Sequence, residues 1–159
     1  MSEESWFFDD PGVSDDEELL RRIPWVPSHV GFDAQTRERI IHPAALRRGD
    51  SGEGMSVHML SVLTEHGRAA DTVYDVKVFG TIAFLAGVPR AVGGGVVAVP
   101  ASEDVEKDAV LRAAHAEVRP STFTKNKREW SLIRDTIVRA CRWVVAPEQI
   151  PEPRGKADR

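Results

Sequence analysis

Five apolar residues near the C-terminus recur at helical spacing. Trp130, Ile133, Ile137, Cys141 and Val144 are separated by 3, 4, 4 and 3 positions. That rhythm draws one stripe along a helix. Arg128, Asp135, Arg139 and Arg142 fall on the opposite face. A helix with a single apolar stripe gains most of its stability from what the stripe covers, so the rest of the chain must supply a surface for it. Thr124 is a suitable N-cap, and Pro147 ends the element.

The surface to be covered reads as a sheet. In Ala113-Ala114-His115-Ala116-Glu117-Val118-Arg119 apolar and polar residues alternate. Ala114, Ala116 and Val118 then share one strand face, and His115, Glu117 and Arg119 the other. Val96 to Val99 is an apolar run between Gly93-Gly94-Gly95 and Pro100, which fits a buried strand after a tight turn. Met55 to Met59 alternates, with Ser56 and His58 on one face, and a helical reading through Leu63 to a stop at Gly67 competes with it. Asp33 to Thr36 makes a turn before a short strand, Arg37 to Ile41, and Gly49 to Gly54 is a loop by composition. Thr72 to Val78 is ambiguous between helix and strand, Thr81 to Gly87 should be buried, and Pro89 marks a break or a helix start. Ser14-Asp15-Asp16-Glu17 has the form of a capping box, with Arg21 and Arg22 suiting a helix C-terminus, which predicts a helix ending near Ile23 before Pro24. Ser102 would cap a short helix over 103–112.

These elements predict an α+β fold: a small mixed sheet near 37–41, 55–60, 76–83, 96–99 and 113–119, packed by the C-terminal amphipathic helix. The length of 159 residues suits one domain over 14–147, with an acidic arm at 1–13 and a charged, Pro-containing tail at 148–159. No internal repeat is visible.

Composition removes several chemistries. A single cysteine, Cys141, rules out an internal disulfide framework and a thiolate-rich zinc site. No apolar run reaches the roughly 18–20 residues of a membrane helix. The acidic N-terminus lacks a secretory signal pattern, so a soluble cytoplasmic protein is expected, with no membrane partner. The net charge of −4 hides an asymmetry. Residues 1–20 hold eight acids and no Lys or Arg, which leaves 21 basic against 17 acidic residues on the body. Such an arm either solvates or covers a basic surface. Trp6-Phe7-Phe8 within it points to docking, on the chain's own body or on a neighbour.

The sharpest candidate chemistry lies on the 113–119 strand. His115, Glu117 and Arg119 on one face have the types of a base, an acid and an anion clamp, with His58 expected nearby; the plainer reading is a solvent face that happens to be polar. His115-x-Glu117 has the form of half a zinc-deaminase motif, but the Pro-Cys-x-x-Cys partner does not exist here. The five histidines show no metal-ligand spacing; His42, His58 and His115 brought together in space are the one metal candidate, and neither a metal nor a cofactor is expected. Gly49-Asp50-Ser51-Gly52 matches the tetrapeptide around the nucleophile of trypsin-like proteases, yet the chain is too short for two barrels and reads Ser51 as a loop residue. Gly93-Gly94-Gly95 lacks the Lys and Ser/Thr of a phosphate loop. From Arg119 to Arg142, seven basic residues face two acids. Lys125, Lys127, Arg128, Arg139 and Arg142 are therefore candidates for nucleic-acid contact, against the plainer reading of a solvated helix face.

Leu20-Arg21-Arg22-Ile23, Met55-Ser56-Val57, Gly87-Val88-Pro89-Arg90, Val96 to Pro100, Ala114-His115-Ala116 and Trp143-Val144-Val145-Ala146-Pro147 together resemble blocks of a group of small, uncharacterised bacterial proteins. The likeness covers most of 19–147, in short blocks. That group has no established activity, so it carries no functional residues over; it implies a setting among mobile or conflict-related genes. Ala113 stands where the group has an Asn-Pro-like turn before the strand.

The leading expectation is a non-catalytic binding or accessory module of a bacterial cytoplasmic system with a protein partner. The alternatives are a toxin-like enzyme acting on nucleic acid or nucleotides around His115, and a self-associating protein that inserts its aromatic arm into a second copy. A concave pocket at His115 with His58 or Arg119 within hydrogen-bond reach favours the enzyme; a flat or basic patch without convergent titratable groups favours the module.

Overall fold

The computed structural model describes residues 6–49, 53–123 and 127–146. Eight strands and four helices follow in the order β1 (Glu18–Pro24), β2 (Val30–Asp33), β3 (Glu38–Ile41), β4 (Met55–Met59), α1 (Leu60–Glu65), β5 (Phe79–Leu85), α2 (Gly87–Arg90), β6 (Gly95–Ala98), α3 (Ala109–Ala114), β7 (His115–Arg119), α4 (Lys127–Ala140) and β8 (Arg142–Val145). Six strands form one sheet in the order β6-β7-β4-β1-β5-β8, and β2-β3 is a separate hairpin. This is an α+β domain. Every pairing is antiparallel, where a mixed sheet was expected. Among the described residues no helix is long and apolar enough to cross a membrane.

The expected helix over 14–23 is instead the central strand β1. Leu19, Leu20 and Ile23 are all fully buried, because β4 and β5 flank the strand and both of its faces are covered. A strand buried on both faces loses the alternation that would reveal it. The capping residues serve a turn: Ser14 Oγ accepts from the Asp16 amide at 3.2 Å, and the Glu17 amide donates to the Ser14 carbonyl. The Glu17 carboxylate does cap a helix, but a different one. It accepts from the Ser61 amide and hydroxyl in the first turn of α1.

Two cores flank the sheet. The larger unites Leu19, Ile23, Met55, Val57, Ile82, Phe84, Val96, Ala116 and Val118 with Trp130, Ile133 and Ile137 of α4. The expected stripe thus packs on the sheet through its first three members. α4 stops at Ala140, Cys141 is half-buried, and Val144 packs against the smaller core from β8. The continuation was therefore an edge strand, whose β-branched Val144 and Val145 fit a pleated surface. The smaller core holds Leu20, Leu63, Val73, Tyr74, Ala83, Leu111 and Ala114.

Several further expectations shift. The 37–41 strand belongs to the hairpin and not to the main sheet. Residues 55–65 satisfy both competing readings in turn, β4 and then α1. The ambiguous 72–78 segment is neither helix nor strand: Thr72 ends a 3-10 turn, Ala70–Thr72, and the rest is bend and turn before β5. The helix expected over 103–112 covers 109–114, capped by Asp108, whose carboxylate accepts from the amides of Val110 and Leu111. α3 runs directly into β7. Thr124, Ser51, Pro147 and the 148–159 tail lie outside the described residues.

Residues 6–10 of the acidic arm pack on the body. The Asp10 amide donates to the Val96 carbonyl, and Asp9 Oδ1 accepts from the Val96 amide and from Arg90. The arm thereby occupies the free edge of β6. A Cβ at Gly95 would collide with the Phe8 carbonyl, so only glycine admits this approach. Trp6 donates to the Pro120 carbonyl at 3.0 Å and lies under the Arg119 guanidinium, 4.7 Å from its carbon.

Candidate functional site

The face of the sheet opposite α4 carries the polar side chains. β4 and β7 pair so that His58 stands beside His115 and Ser56 beside Glu117. Alternation puts all four on one face. Leu20 lies opposite His58 on the next strand and carries the face into the smaller core.

His115 is fixed by two bonds. Its Nδ1 lies 2.6 Å from the Val99 carbonyl, a group that only accepts, so Nδ1 carries the proton. Its Nε2 then accepts from the Ser56 hydroxyl at 3.1 Å whenever the ring is neutral. A serine hydroxyl on an imidazole nitrogen, with the other nitrogen held by an acceptor, is the arrangement of a nucleophile and its base. The His58 ring stands edge-on to His115 with centroids 5.8 Å apart. Tyr74 Oη lies 2.6 Å from His58 Nδ1 and donates to the Leu20 carbonyl at 3.3 Å. Burial, helped by the neighbouring His115 and by Arg22 and Arg21, pushes the His58 imidazole down to about 4. It is therefore neutral at physiological pH. Burial likewise pushes the Tyr74 phenol up, so it remains protonated.

Arg21 closes the sheet at this point. The β1–β4 ladder carries Leu19 with Met59 and Leu20 with His58. Where the ladder ends, Arg21 Nη1 donates to the Ser56 carbonyl at 2.8 Å and Nη2 to the Ala45 carbonyl at 3.1 Å. These acceptors are neutral. Arg21 Nε is shielded from solvent and has no partner, and burial lowers the guanidinium to about 10. It keeps its charge at neutral pH without a carboxylate bonded to it.

These groups line a cavity of about 490 Å³. Among the described residues its cations are Arg21, Arg22 and Arg47, and Glu106 is the carboxylate on its wall. Arg22 lies over the Phe79 ring at 5.1 Å. His29 also lines it; its Nδ1 is buried without a partner, and its pKa is lowered by burial and then by Arg47. A second cavity of about 470 Å³ adjoins the first and shares Ala44, Arg47 and His29 with it. Its other cations are Arg48, Lys127 and Arg134, and Trp130 forms part of its wall.

The candidate residues from the sequence divide accordingly. His115 and His58 stand side by side on the wall of the first cavity. Glu117 and Arg119 do not line it. They form an ion pair at 2.8 Å, and Arg119 also donates to the Phe7 carbonyl beneath Trp6. The three-histidine metal candidate is not assembled, since His42 is outside the cavity beside Gly31. Of the helix cations, Lys127 enters the second cavity, Arg128 and Arg139 are exposed on α4, Arg142 pairs with Glu18 at 2.7 Å, and Lys125 lies outside the described residues. Burial pushes the Cys141 thiol up to about 11, which leaves it a poor nucleophile. Ser56, Tyr74, Arg21, Arg22 and Arg47 were not singled out for the site. The Ser56/His58 pair on one strand face was the signal that pointed to the first of them.

No family model, no curated protein and no solved structure matches this chain.

Proposed function

We propose that the chain is a binding module of a bacterial cytoplasmic system whose ligand carries phosphate, held in the first cavity. The observation that supports this reading most is Arg21. A guanidinium half-removed from water, bonded to neutral carbonyls and flanked by Arg22 and Arg47, has no carboxylate bonded to it among the described residues. Burying a cation without one is costly, and an anion entering the cavity relieves that cost. Guanidinium forks match phosphate oxygens better than they match a single halide. The cavity's volume lies in the range of small-molecule sites and exceeds what one phosphate needs, which favours a nucleotide over free phosphate.

Calorimetric titration with inorganic pyrophosphate and with AMP tests this. Arg22→Ala and Arg47→Ala remove exposed side chains and should leave the fold intact. Each should weaken binding by about tenfold, the loss of roughly one charge-assisted hydrogen bond. Wild-type affinity in both variants contradicts the reading.

The Ser56–His115 pair favours a second reading, an esterase or nuclease acting on the same ligand class. Turnover of RNA, DNA or nucleotide esters that disappears in both Ser56→Ala and His115→Ala, with AMP still bound, would replace the first reading by this one.

A further inference from the structure

We infer that the two cavities form one groove that takes single-stranded nucleic acid, with Arg47 as the crossing point. This rests on the phosphate reading of the first cavity and extends it. The two cavities meet along the segment around Ala44 and Arg47, and both residues line each of them. Among the described residues their walls together carry Arg21, Arg22, Arg47, Arg48, Lys127 and Arg134, against the carboxylate Glu106. Asp135 stands 3.5 Å from Arg134, and Glu129 and Glu117 act on Arg48, so part of this charge is offset. A track of cations longer than either cavity suits a ligand with charges spaced along a chain.

Two features select the kind of polyanion. The cations line concave walls, which a splayed single strand can enter and the rigid cylinder of a duplex cannot. Flat π-surfaces also accompany the charges. The Arg22 guanidinium lies over the Phe79 ring at 5.1 Å and both residues line the first cavity, and Trp130, largely buried, borders the second. Bases stack on aromatic rings and on guanidinium planes without regard to sequence. An acidic peptide would use the charges and leave these surfaces idle.

The test is fluorescence anisotropy with labelled oligouridylate and oligothymidylate of two to twelve nucleotides, measured across a salt series. Pyrophosphate binding to the same wild-type protein is measured in parallel. Affinity should rise with length and then level off once both cavities are filled. The slope of log K against log salt should steepen over the same lengths by about 0.7 per added phosphate contact. In the Lys127→Ala/Arg134→Ala double variant the plateau should arrive at a shorter length, with a slope shallower by about 1.4. Pyrophosphate binding with no gain from longer oligonucleotides overturns the groove and leaves the phosphate site standing. Failure of pyrophosphate and oligonucleotides alike overturns both. A duplex, or an oligoglutamate of matched charge, that competes as well as the single strand also overturns the groove.

Discussion

The two faces of the six-stranded sheet are built from the same strands and do opposite things. On one face, alternate residues of β1, β4, β5, β6 and β7 meet α4 in an apolar core where Ile133, Ile137, Val57 and Val118 are fully buried. On the other, the intervening residues of β4 and β7 are Ser56, His58, His115 and Glu117, and only part of that face is closed by Leu20, Leu63, Tyr74 and Leu111. The period-two alternation of a strand makes this division possible without extra chain. One face supplies cohesion; the other leaves polar groups at the wall of a cavity. The difference locates where change should cost stability and where it should cost binding.

The largest expected effect is on the closed face. Ile133→Ala removes a side chain with no exposure, wedged beside Gly94. It should lower unfolding free energy by about 2–5 kcal/mol, read as a lower urea midpoint with an unchanged denaturant slope. Ser56→Ala on the exposed polar face should cost under about 1 kcal/mol. Equal losses would erase the distinction between the faces.

Acid should act through the open face. The folded His58 pKa of about 4 lies below its ordinary value of 6.5. The unfolded chain therefore binds this proton first as pH falls. The stability is fully present above about 6.5 and is lost progressively as pH drops towards 4, by at most about 3 kcal/mol. Urea unfolding between pH 7 and 4.5 should show this decline in the wild type and a smaller one in His58→Gln. Parallel curves for the two proteins would place the acid sensitivity elsewhere.

A smaller effect is expected where the cavity wall meets α3. Asp108 caps that helix and pairs with Arg68 at 2.9 Å. Asp108→Ala should cost about 1 kcal/mol, seen as a drop of a few degrees in Tm. Because α3 leads straight into β7, it should also loosen the hydrogen bonds that hold His115, read as faster amide exchange at His115 and Ala116.

How much of this was legible in the sequence follows from the same division. Elements that bury one face announced themselves: α4 by its stripe, β7 by its alternation and β4 by Ser56 and His58. β1 was hidden because both its faces are covered, and because Ser14 to Glu17 offered a cap that the fold uses for a turn and for α1. β8 was hidden because Val144 and Cys141 continue the helical rhythm past the point where the backbone turns. His58 and His115 were legible as a site pair because they lie on adjacent, regular strands. Arg21, Arg47 and Tyr74 were not. They reach the cavity from a gap between strands, from the segment after a 3-10 turn and from a loop, and no local period encodes such long-range convergence. Glu117 and Arg119 had the right chemistry, but they pair with each other and the aromatic arm lies on Arg119.

The most direct test of the central claim, an anion site on the open face, is an NMR titration of the histidine rings with and without pyrophosphate. An anion beside an imidazole favours its charged form and raises its pKa. The account predicts that pyrophosphate moves the titration midpoint of His58 upward and displaces the ring signals of His115, while the ring signals of His66, which is exposed and absent from both cavity walls, stay fixed. Pyrophosphate binding that leaves His58 and His115 unmoved would contradict it and put the anion elsewhere on the surface.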